Sequence, residues 1–404
     1  MSNPSITQRE RWKYILLIGG LQTLQPFTLD PYLPSGPIIA RGFDVPDSMI
    51  QLTFSALTLG FAIGQLIAGP LSDSIGRRKP MLIGSAAFVL ATIFVSLAPN
   101  LEMFAVARFI QGIAGAAVFV VGNAVVRDLY DGLSLLKVMS RVLLIQALSW
   151  FIGPFAGSQL LQFMDWRGVS LIIGSFAVLM LITAIKYLPE TLHHEDRREE
   201  IFSGMLKRFN YVLKDRIYVG LLIISSLNSV ALWAYLIVTP FVLTNQFGLA
   251  PEQFGLVLTL NSFGAYLGVQ ASSKLAQVVP AQWILLSMHV VSMGLGAALL
   301  LTAATNPPLW LVVTIIWLFV FGFGMTVTPI GALSLAPHGN EAGTAASLMA
   351  VVGSLALTLA GPLYASLSKQ DMSGVGTTIA ILHVLALVAM VTIVNPRKVP
   401  SLKQ

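Results

Sequence analysis

Twelve apolar runs of about membrane length, separated by short polar breaks, leave this chain few ways to fold. A helix needs ~20 mostly apolar residues to cross a ~30 Å hydrocarbon layer at 1.5 Å per residue. The runs cover residues 14–38, 49–70, 81–98, 102–126, 136–161, 168–188, 217–243, 254–273, 281–304, 309–334, 344–367 and 374–394. The breaks carry turn chemistry or charge: Pro99-Asn100, Asp165-Trp166-Arg167, Asn306-Pro307-Pro308 and Lys369 to Ser373. Of the 404 residues, 55% are hydrophobic and 10% charged. A soluble chain carries about 25% charged residues, so these charges could not cover several soluble domains. Transmembrane β-strands would read as ~10-residue alternating segments, which are absent. There is no cysteine, which excludes disulfides, thiolate metal sites and cysteine nucleophiles. The first apolar run is too long for a signal peptide. The expected fold is an all-α integral membrane protein of twelve transmembrane helices.

The net charge of +6 could suggest nucleic acid, but the distribution of Lys and Arg explains it differently. With the N-terminus placed inside, 19 of the 24 basic residues fall in cytoplasmic segments and three, Arg41, Arg167 and Lys369, fall outside. That asymmetry is the positive-inside signature, with both termini cytoplasmic. No basic groove interleaved with aromatics is present, so no nucleic-acid partner is expected.

The longest polar stretch, Pro189 to Arg216, holds six basic and six acidic residues. Within it Ile201, Phe202, Met205, Leu206, Phe209, Val212 and Leu213 recur at helical spacing. This predicts an amphipathic helix on the inner membrane surface. The domains are then residues 1–188 and 217–404, each a six-helix bundle, joined by a linker over 189–216. Three matches relate the halves: Pro31-Tyr32 with Pro240-Phe241, Gly153-Pro154 with Gly361-Pro362, and Gly60 and Gly64 with Gly264 and Gly268. Their offsets of 209, 208 and 204 residues keep the helix order. Two pseudo-symmetric six-helix bundles are what a transporter rocking about a central site requires.

Several segments carry a family likeness. Gly69-Pro70-Leu71-Ser72-Asp73-Ser74-Ile75-Gly76-Arg77-Arg78-Lys79, between spans 2 and 3, resembles the loop signature of the major facilitator superfamily. Arg108-Phe109-Ile110-Gln111-Gly112 in span 4 resembles its R-x-x-Q-G motif, and Gly153-Pro154-Phe155-Ala156-Gly157 in span 5 resembles its proton-antiporter motif. Asp30-Pro31-Tyr32-Leu33-Pro34, Arg127-Asp128-Leu129-Tyr130 and Ala342-Gly343-Thr344-Ala345-Ala346-Ser347-Leu348 are similar to segments of the bicyclomycin-resistance (Bcr/CflA) drug-efflux branch. The likeness runs from span 1 into span 11. It implies a proton-coupled antiporter, multi-pass in the inner membrane of a bacterium, that exports small amphipathic compounds by alternating access and acts as a monomer. An exporter of a metabolite such as an amino-acid derivative or sugar, and a facilitative uniporter or importer, are the rival readings.

The residues themselves suggest roles. An acid within a span costs ~2.5–3.5 kcal/mol on insertion scales and is a functional candidate by default. Asp30 is such an acid, and Arg108 is the base deepest in a span. Counted along their helices they stand about 24 and 21 Å above the inner face, so the two are expected to meet. Proton coupling by Asp30 with Arg108 as partner is one reading; a fixed structural ion pair is the other. Gly69, Asp73, Gly76 and Arg77 form the expected inner gating loop, Asp73 facing the N-terminus of span 11 and Arg77 either an acid such as Asp128 or lipid phosphate; simple positive-inside anchoring is the other reading. Gly112 and Gly115 are read as packing glycines. Gly153, Pro154 and Gly157 form the antiporter motif, where a proline bend is expected.

Candidate substrate contacts are Gln22, Gln111, Asn123, Gln146, Trp150, Asn228, Tyr235 and Asn261; each could instead be polar glue between helices. His289 and His383 read as packing residues. Phosphate-binding loops, catalytic triads and metal-ligand clusters do not occur, so neither an enzyme nor a bound metal or cofactor is expected. With Thr239 at the repeat position of Asp30, the second half has no acid to neutralise a permanent cation. The substrate is therefore expected to be neutral or weakly charged, its partners being protons and membrane lipid.

Overall fold

A computed structural model describes residues 8–197, 203–303, 305, 307–366 and 372–399. Ile201 and Phe202 of the linker, and Arg198, Lys369 and Lys403 among the basic residues, lie outside the described residues. Among those described, the fold is all-helical, without strands. The helices are α1 (Gln8–Gln22), α2 (Leu24–Phe27), α3 (Gly36–Phe43), α4 (Asp47–Ile75), α5 (Arg78–Leu97), α6 (Leu101–Leu129), α7 (Gly132–Leu160), α8 (Trp166–Tyr187) and α9 (Ser203–Val212). They continue with α10 (Arg216–Phe247), α11 (Pro251–Leu275), α12 (Ala281–Ala303), α13 (Leu309–Leu335), α14 (Ala342–Thr358), α15 (Ala360–Ser366) and α16 (Met372–Ala389). By length and apolarity, eleven helices among the described residues can cross a membrane, α14 and the start of α15 counting as one.

The helix ends follow the breaks in the sequence. Asn100 accepts from the Met103 amide at 2.9 Å, Asp165 from Gly168 at 2.9 Å, and Asp215 from Ile217 at 2.8 Å. Each satisfies one of the amides a helix start leaves open. Gly248, at φ 65, closes α10 in the left-handed conformation glycine tolerates.

The first expected span, residues 14–38, is not one helix. Prolines at 26, 31, 34 and 37 each remove an amide donor. The chain runs as α1, α2, a 3₁₀ segment over Asp30–Ser35, and α3. Span 7 carries only Pro240, and α10 passes through it unbroken. The second proline pair behaves in the opposite sense. α7 continues through Gly153-Pro154, whereas the chain is interrupted at Leu359, ahead of Gly361-Pro362, where the Leu359 amide bonds to Ala356.

The chain forms two compact units, residues 1–44 with 56–202 and residues 45–55 with 203–404, so α4 contributes to both. In the first, Ile15, Ile18 and Leu21 of α1 pack with Phe88 of α5, Val118, Val121 and Val125 of α6 and Ala177 of α8. Close approach of α4 and α6 depends on missing side chains. A Cβ at Gly112 would strike the Leu57 carbonyl, and one at Gly60 the Phe109 carbonyl. The second unit repeats the device between α11 and α13, where Gly268 meets the Phe321 carbonyl and Gly324 that of Ala265. Gly112 is thus a packing glycine as expected, while Gly115 sits in ordinary contact with the Phe88 ring. Outward-facing Leu97, Leu144, Leu301 and Ile83 are more than half exposed. Such apolar flanks suit hydrocarbon rather than water.

The linker departs from expectation. Phe209 and Val212 of α9 pack against Tyr218 and Leu222 of α10 and Ala345 and Leu348 of α14. Val212 is fully buried there. This part of the amphipathic face is covered by protein instead of a membrane surface, because the start of α10 and α14 offer it an apolar bed.

Candidate functional site

The proline-rich break after α2 creates the site. In a regular helix the Thr28 carbonyl would accept from the Tyr32 amide. Here that amide bonds to Leu29 at 3.0 Å, and Pro31 has none to give. The Thr28 carbonyl is left open, and Arg108 of α6 fills it, donating from Nη1 at 2.5 Å. Nη1 also donates to Gln111 Oε1 at 3.2 Å, and Gln111 donates to Thr92 Oγ1 at 2.8 Å. The Arg108 guanidinium carbon lies 3.8 Å from the Tyr32 ring centroid and 5.3 Å from that of Phe104. Tyr32 in turn hydrogen-bonds Ser170 through its hydroxyl. Arg108 is 1% exposed, and a buried guanidinium is tolerated only with such donors spent and a ring beneath it.

Asp30 lies between these two contacts in sequence but turns elsewhere. Its carboxyl faces α7, where a Cβ at Gly153 would stand 2.8 Å from the Asp30 Cβ and 3.5 Å from Oδ2. Gly157, one turn on, receives the Pro31 backbone in the same way. The glycines of the Gly153-Pro154-Phe155-Ala156-Gly157 segment therefore form the bed of the broken span, and Pro154 is buried beside them. The Oδ2 atom is buried with no hydrogen-bond partner among the described residues. Among those residues no ion pair joins Arg108 to Asp30. The expected meeting is realised through the flanking Thr28 and Tyr32, because the 3₁₀ turn swings the carboxyl toward α7 and the freed carbonyl toward α6.

Three of the expected substrate contacts converge on one buried cluster. Gln22 of α1 donates to Asn123 Oδ1 and to the Phe119 carbonyl, both at 3.1 Å, and accepts from Gln146 Nε2 at 2.5 Å. The bare Gly122 makes room for the Gln22 amide. Gln22 is fully buried and Gln146 nearly so, while Asn123 is half-buried. Gln111 is not part of this cluster; it holds Arg108. Trp150 is 57% exposed and stands apart from it on α7.

In the second unit Asn261 of α11 donates to the Tyr235 hydroxyl of α10 at 2.5 Å. Asn228 of α10 donates to Thr326 Oγ1 of α13 at 2.8 Å. Thr326 donates its own proton to the Phe323 carbonyl at 2.6 Å. His289 and His383 are buried with ring centroids 5.4 Å apart, as packing residues of α12 and α16. No group of three potential metal ligands occurs among the described residues.

The loop between α4 and α5 is tightly bonded. Gly76 takes φ 95, which suits only glycine. Arg77 donates to Asp73 at 2.5 Å, to Ser72 at 2.8 Å and from Nε to Asp128 at 2.9 Å. Burial works against its charge, but the bonds to Asp128 and Asp73 prevail and hold its pKa above the ordinary arginine value. Glu190 was not foreseen here. It accepts the Arg77 amide at 2.7 Å and the Arg78 amide at 3.2 Å. Partial burial pushes its pKa up, yet the amides of Arg77, Leu192 and Arg78 outweigh this and hold it below the usual carboxylate range. The other unforeseen members, Thr28, Tyr32, Thr92, Ser170 and Thr326, carry little sequence signal. Tyr32 alone stands out, within the Asp30-Pro31-Tyr32 tripeptide.

Two helical units with membrane-length apolar helices and buried polar clusters define a multi-pass membrane transporter fold. The pattern of the Major Facilitator Superfamily matches residues 15–361, and the chain belongs to that superfamily. An uncharacterised transporter of this type from Bacillus subtilis is 32% identical over 368 residues, covering 90% of each chain. A bicyclomycin resistance protein homolog from Haemophilus influenzae is 28% identical over 90% of this chain and 91% of its own. A multidrug resistance protein from Vibrio parahaemolyticus is 25% identical over 84% and 85%. These names agree with the branch that the helix motifs resemble. Among solved structures, the nucleoside transporter NupG superposes with a TM-score of 0.76 at 11% identity, over 95% of this chain and 100% of its own. A D-xylose–proton symporter superposes with a TM-score of 0.73 at 15% identity, over 98% and 100%. At these identities the likeness concerns the fold alone.

Proposed function

We propose that this protein is a proton-coupled antiporter of the bacterial inner membrane that exports small, neutral or weakly charged amphipathic compounds. The observation that carries the reading is the Asp30 carboxyl, set in the broken first span with a buried oxygen that has no partner among the described residues. A carboxyl that alternates between such burial and contact with water exchanges a proton as it does so. Arg108 acts from α6, holding the Thr28 carbonyl on one side of Asp30 and the Tyr32 ring on the other. The drug-resistance names of the bicyclomycin and multidrug relatives support export of antibiotics.

In this reading the broken segment over residues 14–38 counts as a span beside the eleven, making twelve. The spans form two six-helix halves, residues 1–188 and 217–404, with 189–216 as tether and both termini cytoplasmic. Transport in this reading proceeds by alternating access, with Gln22, Asn123, Gln146 and Trp150 of the first unit and Asn228, Tyr235 and Asn261 of the second as candidate substrate contacts. The loop of Gly69, Asp73, Gly76 and Arg77 gates the inner side. The transporter functions as a monomer.

The test uses inverted vesicles with an acidified lumen. An exported antibiotic of the phenicol or bicyclomycin kind is expected to accumulate and to release protons as it enters. Asp30→Asn is expected to abolish both while leaving normal amounts of protein in the membrane, because it removes a charge from the apolar phase. Accumulation without proton release would indicate a uniporter. Gradient-driven accumulation that persists in Asp30→Asn would overturn the assignment of Asp30.

A further inference from the structure

A groove of about 330 Å³ runs between α1 and α8 on the surface of the first unit. Lys13, Leu16 and Leu17 line it from α1, and Met180, Thr183 and Tyr187 from α8. Gly20 lies against the Met180 side chain while Lys13 shares the groove with Tyr187, so the helices run antiparallel and the lining is graded. Lys13 and Tyr187 form one end, Leu17 and Thr183 the middle, and Met180 the other end. From Met180 to Tyr187 is about 10 Å along the helix.

The polar end gathers positive charge from three elements. The Lys186 ammonium stands 5.3 Å from the Tyr187 ring centroid. Arg78 reaches the same helix end and donates to the Ile185 carbonyl at 2.9 Å. Glu190, the acid nearest to Lys186 in sequence, is already engaged by the amides of Arg77, Arg78 and Leu192. One turn along from this end the groove is apolar. The Thr183 hydroxyl donates to the Leu179 carbonyl at 2.7 Å, so it offers the groove no proton.

We infer that this groove holds one anionic phospholipid, its phosphate at Lys13 and Lys186 and one acyl chain along Leu16, Leu17 and Met180. Charge complementarity names the headgroup, since a basic pocket between membrane helices recruits anionic lipid. The gradation names the tail. A soluble phosphate would leave the apolar floor uncovered, and a peptide would find no hydrogen-bond partners for its backbone there. The flank around the groove is itself lipid-like in demand, with Leu16, Ile182 and Ile185 all more than half exposed. Arg141 over the Trp12 ring, 4.6 Å from its centroid, extends the basic-aromatic rim along α1, as such rims do at membrane interfaces.

The test is lipid binding to the purified full-length protein in a neutral detergent, read by native mass spectrometry and by thermal unfolding. Phosphatidylglycerol is expected to bind with a stoichiometry near one and to raise the unfolding temperature saturably. Phosphatidylcholine and soluble glycerol phosphate are expected to do neither. The double substitution Lys13→Gln and Lys186→Gln, at exposed positions that leave the fold intact, should weaken phosphatidylglycerol binding about 30-fold. Thr183→Phe keeps both cations but fills the groove and should abolish the saturable phase. Equal binding of phosphatidylcholine, equal stabilisation by glycerol phosphate, or wild-type binding in both variants would each overturn the proposal. The outcome does not depend on what the protein transports.

Discussion

The Arg108 guanidinium carbon lies 3.8 Å from the centroid of the Tyr32 ring, 76 residues away in sequence and on another helical segment. The stack exists because the chain between Thr28 and Tyr32 abandons α-helical bonding. One break thus frees a carbonyl, presents a ring and turns a carboxyl, and Arg108 uses the first two. The guanidinium plane is suited to this double task, being able to donate in its plane and to stack across it.

Arg108→Lys is therefore expected to lower transport at least about tenfold, since a point charge on a flexible stem replaces neither the stack nor the directed bond to Thr28. Tyr32→Leu removes the ring and should destabilise the protein by about 0.5–2 kcal/mol, the range for a cation–π contact. Transport assays in vesicles and thermal unfolding in detergent measure the two. A fully active Lys variant would mean that charge alone suffices.

Gly112 and Gly115 separate packing from mere smallness. Gly112→Ala drives a methyl into the Leu57 backbone, whereas Gly115→Ala meets the Phe88 ring at ordinary contact distance. The first should cost about 1–3 kcal/mol, as overpacking does, and the second under ~0.5 kcal/mol. Unfolding temperatures of the two variants decide it.

Gln22→Glu would keep the acceptor for Gln146 but would aim a carboxylate at Asn123 Oδ1 and the Phe119 carbonyl, two acceptors now served by the Gln22 amide at 3.1 Å. The expected result is loss of folded protein or of transport at neutral pH. Recovery on mild acidification would follow if the acid protonates and donates one bond again. Gln22→Met, which removes the polar group, should leave Gln146 without its acceptor and lower stability by about 1–3 kcal/mol. Expression level and unfolding temperature across pH check both.

Glu190 has a lowered pKa in the fold, so its bonded carboxylate contributes stability at pH values above the ordinary glutamate range. That contribution is lost as pH falls through the depressed value, and Glu190→Gln lacks it at every pH. The gap in unfolding temperature between wild type and Glu190→Gln should be open at neutral pH and close on acidification. A gap that widens toward low pH would contradict the bonding of Glu190 to the Arg77 and Arg78 amides.

Much of the molecule was legible in the chain, for physical reasons that particular residues make plain. Apolarity adds along a segment, so α5, α6, α8, α12 and α13 begin and end within a few residues of their expected runs. Capping is equally local, and Asn100, Asp165 and Asp215 could be read as helix starts from their neighbours. The loop signature and the Arg108 and Gly153 motifs sufficed for the resemblance to the superfamily, because each is a short contiguous string that can be read without its distant partners. Folding decided what depends on partners far off in sequence. The first span, by contrast, reads in the sequence as one continuous run over residues 14–38. Only the tertiary structure settled that Thr28 would lose its amide partner, that Arg108 would replace it, and that Asp30 would turn to Gly153. Likewise the spacing of Phe209 and Val212 predicted an apolar helix face. Whether lipid or protein covers such a face depends on which surface reaches it first, and here that surface is built by α10 and α14.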